Sequence, residues 1–334
     1  MKIFITGIAG FLGSHVADRL IELGHDVYGC DNLIGGTLDN VHPDAQFSQV
    51  DAIYLNQMKK MTEGMDTIIH TACTAYEGLS VFSPYLVGQN TYQISMSVFT
   101  AAVTSQVRRV VNCSSMARYG TQDIVPYTEE MVPKPQDPYG IAKLASEQTL
   151  EVLGNVHNFE YVNLVPHNII GPKQKYDDPY RNVVSIMINR ILNGNSPIIY
   201  GDGEQTRCFS DIDDVIDPMI KSIHSEQVIG ETINVGPDED VITIKELATR
   251  VLKVLNSDLE PIHVDARPQE VKFAHCSSDK ARKLLDYKTS VTLDASIEKI
   301  ANWIIKQGPK KFRYHLDIEI ENELTPKTWK NKLI

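Results

Sequence analysis

The sequence lacks the features that mark several large classes of protein. No apolar run approaches the roughly 18 residues that a membrane-spanning helix needs. Positive charge is not in surplus either, because 32 Lys and Arg among 334 residues face 43 Asp and Glu, for a net charge of −11. A chain this acidic, without a basic stripe, is a poor binder of a phosphate backbone. We therefore expect no membrane association and no nucleic acid partner.

Cysteine is scarce and scattered, which argues against a disulfide scaffold. The five cysteines form no Cys-x-x-Cys pair, so we expect free thiols in a reducing cytoplasm. The first apolar run begins at Ile3, which leaves no room for a signal peptide. The ten histidines form neither His-Glu-x-x-His nor His-x-x-x-His, and we expect no metal site.

Strand and helix patterns alternate through the first half of the chain, which predicts an α/β fold with a parallel sheet. Lys2–Thr6 has the pattern of a buried strand, and the apolar residues of 11–23 recur at helical spacing up to Gly24. The same reasoning predicts strands at 26–30, 66–71, 109–113 and 160–165, and helices at 90–104 and 137–153.

A glycine-rich turn joins the first strand to the first helix. Its spacing is Gly7-x-x-Gly10-x-x-Gly13, and Asp31 follows the second strand. Such glycines permit a tight turn, a close approach of the backbone to a pyrophosphate and close packing of the helix. A carboxylate at the end of the second strand accepts the ribose hydroxyls of NAD and repels the extra phosphate of NADP. These residues predict an NAD site.

The organisation of the whole chain follows from these patterns. We expect a doubly wound parallel sheet of the Rossmann type with a smaller mixed α/β substrate-binding subdomain. The NAD-binding part is predicted at 1–166, with segments returning at about 207–242, and the subdomain at 167–206 and 243–308. Within these, 232–235 is predicted as a strand, and 244–255 and 293–305 as helices. The tail, 309–334, alternates at 315–321 and is expected either to add a strand or to dock on the body.

A second group of residues has the chemistry of a proton-transfer site. Tyr139 and Lys143 lie four residues apart at the start of a helix that Asp137 caps, so they share one face. A neighbouring ammonium, the helix N-terminus and a positively charged nicotinamide would all favour a phenolate, which is a general base. Ser114 and Ser115 follow the strand at 109–113, at the sheet edge where such folds bind ligands.

These motifs together resemble the extended short-chain dehydrogenase/reductases, in the branch of nucleotide-sugar epimerases and dehydratases. The resemblance rests on Thr6-Gly7-x-x-Gly10-x-x-Gly13, His70-Thr71-Ala72, Ser114-Ser115-Met116-Ala117-Arg118-Tyr119-Gly120 and Tyr139-x-x-x-Lys143, in that order. It implies that Ser115, Tyr139 and Lys143 are catalytic. It also implies that NAD contacts Gly7, Gly10, Phe11, Leu12, Gly13, Asp31, Asn32, Asp51, Ala52, Thr71, Ala72, Asn90, Tyr139, Lys143 and Pro166.

The second half of the chain is similar to the same family in its substrate motifs. These are Pro166-His167-Asn168, Tyr200-Gly201-Asp202-Gly203 with Arg207, and Arg267 with Glu270. The resemblance implies that Asn168, Tyr200, Arg207, Arg267 and Glu270 bind a nucleotide-diphosphate sugar, together with Ser115. Val165 and Ile170 depart from the family's usual Arg and Tyr. Arg118 stands where Val is common. A charge pointing to the sugar from there would favour an anionic substrate such as a uronic acid, and the alternative is a surface or structural arginine.

The resemblance implies a nucleotide-sugar 4-epimerase that works through a transient 4-keto sugar. A 4-ketoreductase or a decarboxylating enzyme remains open, although a net reductase often prefers NADPH, contrary to Asp31. A 4,6-dehydratase is disfavoured because Met116-Ala117 replaces the acid/base pair that follows the catalytic Ser or Thr. A catalytically idle NAD-binding module is disfavoured because Tyr139 and Lys143 are both present. The family further implies a homodimer through helices such as those at 90–104 and 137–153.

Overall fold

Strands and helices alternate through most of the computed structural model, which describes residues 1–334. The strands are β1 (Lys2–Thr6), β2 (Asp26–Asp31), β3 (Gln46–Gln49), β4 (Thr67–His70), β5 (Arg109–Cys113), β6 (Glu160–Pro166), β7 (Ile169–Ile170), β8 (Ile198–Tyr200), β9 (Thr206–Arg207), β10 (Ser210–Asp211), β11 (Thr232–Val235), β12 (Ile242–Thr243), β13 (Ile262–Val264) and β14 (Phe273–Ala274). The α-helices are α1 (Phe11–Glu22), α2 (Leu55–Thr62), α3 (Glu77–Ser80), α4 (Pro84–Gly88), α5 (Ile94–Thr104), α6 (Pro138–His157), α7 (Val183–Leu192), α8 (Ile212–His224), α9 (Ile244–Val254), α10 (Asp279–Leu285), α11 (Leu293–Gln307) and α12 (Lys327–Lys330).

Seven parallel strands form the main sheet, in the order β11-β6-β5-β4-β1-β2-β3. The chain winds outward from β1 to β3 and then returns to β4, on the other side of β1. This reversal leaves a crevice at the carboxyl ends of β1 and β4, which is where doubly wound folds bind ligands. The predicted fold class is therefore confirmed.

The first strand shows how the sheet is buried on both faces. Successive side chains of a strand point to opposite faces. Ile3 and Ile5 pack in one apolar cluster with Leu20 of α1, while Phe4 packs in another with Val98 of α5. This explains why the strand is an almost continuous apolar run, as strands covered by helices on both sides are.

A second apolar cluster holds the later part of the chain together. Ile188 of α7, Leu247 of α9 and Ile300 of α11 are fully buried against one another in it. Three small sheets accompany these helices: β7 with β10, β8 with β13, and β9 between β12 and β14.

Most elements lie where the sequence predicts them. Strands β1, β5 and β11 have the predicted bounds, and α6 begins after its predicted cap. The predicted helix at 90–104 instead opens with a wider π-helical turn, Gln89–Gln93, before α5 begins. Strand β3 and helices α2, α7 and α8 were not predicted; α8 contains Pro218, a residue that ordinarily ends a helix.

The tail after α11 docks on the body and adds no strand. Leu316 and Trp329 are buried in a cluster with Tyr76, Phe82 and Tyr180. The alternation at 315–321 therefore reflects docking, the second of the two predicted alternatives. No helix of the chain combines the length and apolar character needed to cross a bilayer.

Candidate active site

One large cavity, of about 400 Å³, takes its walls from the main sheet's edge and from the later part of the chain. It collects nearly all the residues that the sequence singled out. These are Gly7, Gly10, Phe11, Leu12, Gly13, Asp31, Asn32, Asp51, Ala52, Thr71, Ala72, Asn90, Ser115, Tyr139, Lys143, Pro166, Asn168, Tyr200, Arg207, Arg267 and Glu270. Residues up to 263 positions apart in the chain, Gly7 and Glu270, thus face one space.

The glycine loop packs too tightly for side chains. Gly7 has φ +75°, a left-handed conformation that favours glycine. A Cβ at Gly13 would stand 2.2 Å from the carbonyl oxygen of Gly7. Gly10 caps the N-terminus of α1, so the positive end of the helix dipole opens on the cavity. Bare backbone at a helix N-terminus fits the pyrophosphate of a dinucleotide.

Asp31 lies at the end of β2 and is held by the same loop. Its Oδ2 accepts the N–H of Ala9 at 3.1 Å and its Oδ1 accepts the N–H of Leu33 at 2.7 Å. Burial raises the pKa of this carboxyl group, and these backbone N–H groups oppose the rise. The neighbouring Asn32 donates to Asp51 Oδ2 at 2.9 Å. The carboxylate lines the cavity at the end of β2, so the group fits the ribose hydroxyls of NAD.

Helix α6 presents Tyr139 and Lys143 as the sequence predicts. Asp137 Oδ1 accepts the N–H of Gly140 at 2.9 Å and so caps the helix one residue before Pro138. Lys143 Nζ donates to the carbonyl oxygen of Cys113 at 2.7 Å, which ties α6 to the end of β5. The same ammonium lies 5.9 Å from the centroid of the Tyr139 ring.

The phenol of Tyr139 is deeply buried at the end of the sheet. Burial raises its pKa well above the ordinary value, and Cys73 adds to the rise, while Arg181 and the hydroxyl of Ser115 lower the pKa. Ser115 also accepts the N–H of Ala117 at 3.2 Å and begins the helical turn Met116–Tyr119. Ser115 and Tyr139 are thus fixed by separate elements and face the same end of the cavity.

Arg118 does not reach the cavity, and the expectation that it faces a sugar is wrong. It is buried, and its Nε lies 3.0 Å from Glu147 Oε2 of α6. Glu147 also accepts a hydrogen bond from Ser114. A buried carboxylate needs such partners, because burial alone raises the pKa of Glu147. Arg118 therefore neutralises an interior charge.

Three of the predicted substrate residues form one charged group. Glu270 Oε1 lies 2.9 Å from Arg267 and 3.8 Å from Arg207. Burial would raise the pKa of Glu270, but Arg267 and Arg207 hold it below the ordinary value. The Arg267 guanidinium stacks 4.6 Å over the Tyr200 ring. Two guanidinium groups held in place by one carboxylate suit a diphosphate.

Asn168 belongs to the loop between β6 and β7. Its backbone has φ +44°, an unusual value for a residue other than glycine. Its side chain donates to the carbonyl oxygen of Cys208 at 2.8 Å. This bond leaves the amide oxygen of Asn168 available to the cavity.

The structure adds lining residues that the sequence analysis missed. Cys73 and Glu77 follow β4, and Tyr180 and Arg181 precede α7. Ile334 of the tail also lines the cavity. No spacing rule marks these residues, since they come from irregular segments whose path depends on tertiary contacts.

The parallel sheet, the glycine loop and the Tyr139–Lys143 pair define a dinucleotide-binding enzyme fold of the short-chain dehydrogenase/reductase type. The family model described as the NAD dependent epimerase/dehydratase family matches residues 3–236. The chain belongs to this family, and its cofactor is NAD. The bare glycine loop and the two-oxygen acceptor Asp31 fit that cofactor.

Relatives and solved structures align with most of the chain. A UDP-glucose 4-epimerase of Mycolicibacterium smegmatis is 29% identical over 308 residues, which cover 90% of this chain and 97% of the relative. The structure of a UDP-glucose 4-epimerase of Thermotoga maritima with UDP-glucose matches with a TM-score of 0.87 at 28% identity, covering 92% of this chain and 99% of that one. A UDP-glucuronic acid 4-epimerase of Bacillus cereus, solved with UDP-glucuronic acid and NAD, matches with a TM-score of 0.86 at 26% identity, covering 92% and 100%.

Proposed function

We propose that the protein is a nucleotide-sugar 4-epimerase that keeps its NAD bound through the reaction. The observation that carries this proposal is the meeting of Ser115, Tyr139 and Lys143 at the carboxyl edge of the sheet. The relatives described above are named for 4-epimerisation of UDP sugars, which supports the reaction and makes uracil the first base to test.

The chain's own residues would divide the work as follows. Tyr139, as a phenolate, takes the proton of the sugar's 4-hydroxyl. Ser115 hydrogen-bonds the same oxygen and relays the proton. Lys143 holds the nicotinamide ribose and favours the ionised phenol. NAD, when bound, supplies the acceptor for the hydride of carbon 4 and later its donor.

The nucleotide half of the substrate would be held away from the reacting carbon. Arg207 and Arg267 would bind the diphosphate and Asn168 the sugar nucleotide. Binding energy from this remote half can position the sugar for reaction. It can also keep the nucleotide bound while the 4-keto sugar rotates to present its other face to the hydride donor.

The reaction is tested by incubating the purified protein with UDP-glucose and with UDP-galactose, without added cofactor. An epimerase converts either one to the same mixture, and denaturation of the protein releases NAD. Steady consumption of NADPH with an added 4-keto nucleotide sugar, and no interconversion of the two UDP sugars, would instead identify a 4-ketoreductase, the second candidate. A 4,6-dehydratase is not favoured, because Met116 and Ala117 offer no acid or base beside Ser115.

Removal of the phenol oxygen of Tyr139 tests its role as the base. Tyr139→Phe should reduce turnover by about 10²–10⁴-fold, the usual contribution of a general base. NAD content and melting temperature should change little, because the ring still fills its site. Near-normal turnover in this variant would exclude Tyr139 as the base.

We also propose that the protein forms a homodimer through α6 and the helical segment 89–104. Ile141, Val152 and Val156 of α6 are 54%, 59% and 69% exposed, and Tyr92 beside them is 38% exposed. An apolar stripe of this kind usually marks an interface. Light scattering should give twice the chain mass, and Val152→Lys should give a monomer; a monomeric parent protein would exclude the dimer.

A further inference from the structure

Arg181 is a cavity-lining arginine that has no partner within the protein. It is solvent-exposed and lies in the loop that enters α7. Arg207 and Arg267 are paired with Glu270, and Arg118 with Glu147. Arg181 makes no hydrogen bond or ion pair, so its five N–H donors are free to receive a ligand.

The loop of Arg181 packs against the segment that contacts the phenol of Tyr139. The ring of the neighbouring Tyr180 meets the ring of Tyr76 edge-on at 6.3 Å between centroids, and Cys73 and Ala75, just before Tyr76, pack in the cluster that contains Tyr139. Arg181 therefore lies at the reacting end of the cavity. Its charge opposes the burial that raises the pKa of Tyr139, and it opposes the same effect at Cys113, at the end of β5. Arg207 and Arg267 lower the pKa of Glu270, and all three arginines oppose the burial that raises the pKa of Glu77. The cavity therefore carries three arginines, of which Arg207 and Arg267 are held by Glu270 and Arg181 is unpaired.

The C-terminal tail holds the loop that carries Arg181. Tyr180 Oη donates to the carbonyl oxygen of Leu316 at 2.9 Å, and its ring meets the ring of Trp329 edge-on at 5.5 Å between centroids. The N–H of Arg313 donates to the carbonyl oxygen of Asp177 at 2.8 Å. Trp329 is 2% exposed, so the loop rests on a buried support.

We infer that Arg181 binds a carboxylate of the sugar, so that the preferred substrate is a nucleotide diphosphate linked to an acidic sugar. A planar guanidinium with free donors matches a carboxylate through two parallel hydrogen bonds. The tail residues Leu316 and Trp329 are positioning residues, because they act on the ligand through Tyr180 and the loop. This inference rests on the proposed function for the identity of the nucleotide and of the reacting end.

Glu77 is the competing partner within the cavity. It also lines the cavity without a hydrogen bond or ion pair, and its carboxylate would satisfy Arg181 if the two side chains moved together. In that case Arg181 would shape the wall and would not distinguish acidic from neutral sugars. The experiment must therefore compare two ligands of which only one carries a carboxylate on the sugar.

The matched probes are UDP-glucuronic acid and UDP-glucose, which differ only at carbon 6. Their dissociation constants are measured by calorimetry on the NAD-loaded Tyr139→Phe protein, with and without Arg181→Gln. We expect the parent to prefer UDP-glucuronic acid by about tenfold or more, and Arg181→Gln to weaken that ligand by about 10–100-fold while UDP-glucose changes by less than about threefold. Equal weakening of both ligands, or no preference in the parent, including no binding of either, would overturn the inference.

This measurement is independent of turnover. A protein that prefers the acidic ligand but never epimerises it would overturn the proposed function and leave the carboxylate site in place. A protein that epimerises UDP-glucose with no preference for the acidic ligand would support the proposed function and overturn the carboxylate site.

The tail's part is tested by conservative substitutions. Tyr180→Phe removes only the hydroxyl that reaches Leu316, and Trp329→Ala removes the ring beneath the loop; each should reduce the preference for UDP-glucuronic acid. Trp329→Phe should restore it, and Leu324→Ala, at a tail position that is 62% exposed, should leave it unchanged. An unchanged preference in folded Tyr180→Phe and Trp329→Ala proteins would show that the tail does not position Arg181, and so would loss of affinity for both ligands alike.

Discussion

Lys143 Nζ lies 5.9 Å from the centroid of the Tyr139 ring and is anchored 2.7 Å from the carbonyl oxygen of Cys113. The ammonium is thereby fixed between the end of β5 and the proposed base, one helical turn away on α6. A charge held in this way serves two purposes, since it stabilises a phenolate and remains available to a ribose hydroxyl.

The first prediction concerns this ammonium. Lys143→Met keeps the length and apolar stem of the side chain but removes the charge and its hydrogen bonds. Turnover should fall by about 10²–10⁴-fold, since the phenol loses the cation that favours its basic form. Steady-state kinetics and NAD content measure the effect, with Lys306→Met on the exposed end of α11 as a control that should behave as the parent. Equal activity of the two variants would contradict the proposed role.

The second prediction concerns pH. Burial raises the pKa of Tyr139, Arg181 lowers it and Glu77 raises it. A general base acts when ionised, so kcat/KM rises with pH through the pKa of the phenol. With UDP-glucose as the substrate, Arg181→Gln should move this acid limb to higher pH and Glu77→Gln should move it to lower pH. Arg181→Lys retains the charge and should leave the limb near its original place.

The direction of these shifts makes the pH profile a sharp test. Limbs that move the same way in both variants, or that stay in place in both, would show that another group controls the profile.

The glycine loop carries the third prediction. A Cβ at Gly13 would stand 2.2 Å from the carbonyl oxygen of Gly7 and 3.0 Å from Cα of Ile8. Gly13→Ala should therefore displace the loop, cost about 1–3 kcal/mol of stability and abolish retention of NAD. Gly88→Ala is the matched control, because no atom lies within 4 Å of its Cβ and Ala is a better helix former than Gly.

Thermal melting and the NAD released on denaturation measure both effects. Gly88→Ala should keep its NAD and melt at or slightly above the temperature of the parent. A Gly13→Ala protein with a full complement of NAD would show that the loop does not need this close approach.

The sequence predicted the sheet and the cofactor end of the cavity because both depend on local rules. The strand pattern of Lys2–Thr6, the spacing of Gly7, Gly10 and Gly13, and the capping of α6 by Asp137 are all set by residues close together in the chain. Such patterns determine backbone geometry directly. The side chains of these elements then face the crevice as the topology requires.

The wall that carries Arg181 could not be predicted in this way. Its loop is fixed by Leu316 and Trp329, which are more than 130 residues away and whose own segment has no regular structure except α12. The alternation at 315–321 is compatible with a strand. The tail instead docks on the body because its apolar side chains pack in the cluster around Tyr180. The misplacement of Arg118 has the same origin, because its partner Glu147 lies on another element.

The ion pair of Arg118 with Glu147 carries the last prediction. Arg118→Met removes the cation beside Glu147 and leaves a buried carboxylate with only the hydroxyl of Ser114 as a partner. Breaking a buried ion pair from one side costs about 3–5 kcal/mol, so the variant should melt well below the parent. Removing both charges, in Arg118→Met/Glu147→Leu, should recover most of that loss, because neither charge then remains unpaired. The affinity of the double variant for UDP-glucuronic acid should equal that of the parent, since Arg118 does not face the cavity. A selective loss of affinity for UDP-glucuronic acid would show that Arg118 binds the substrate.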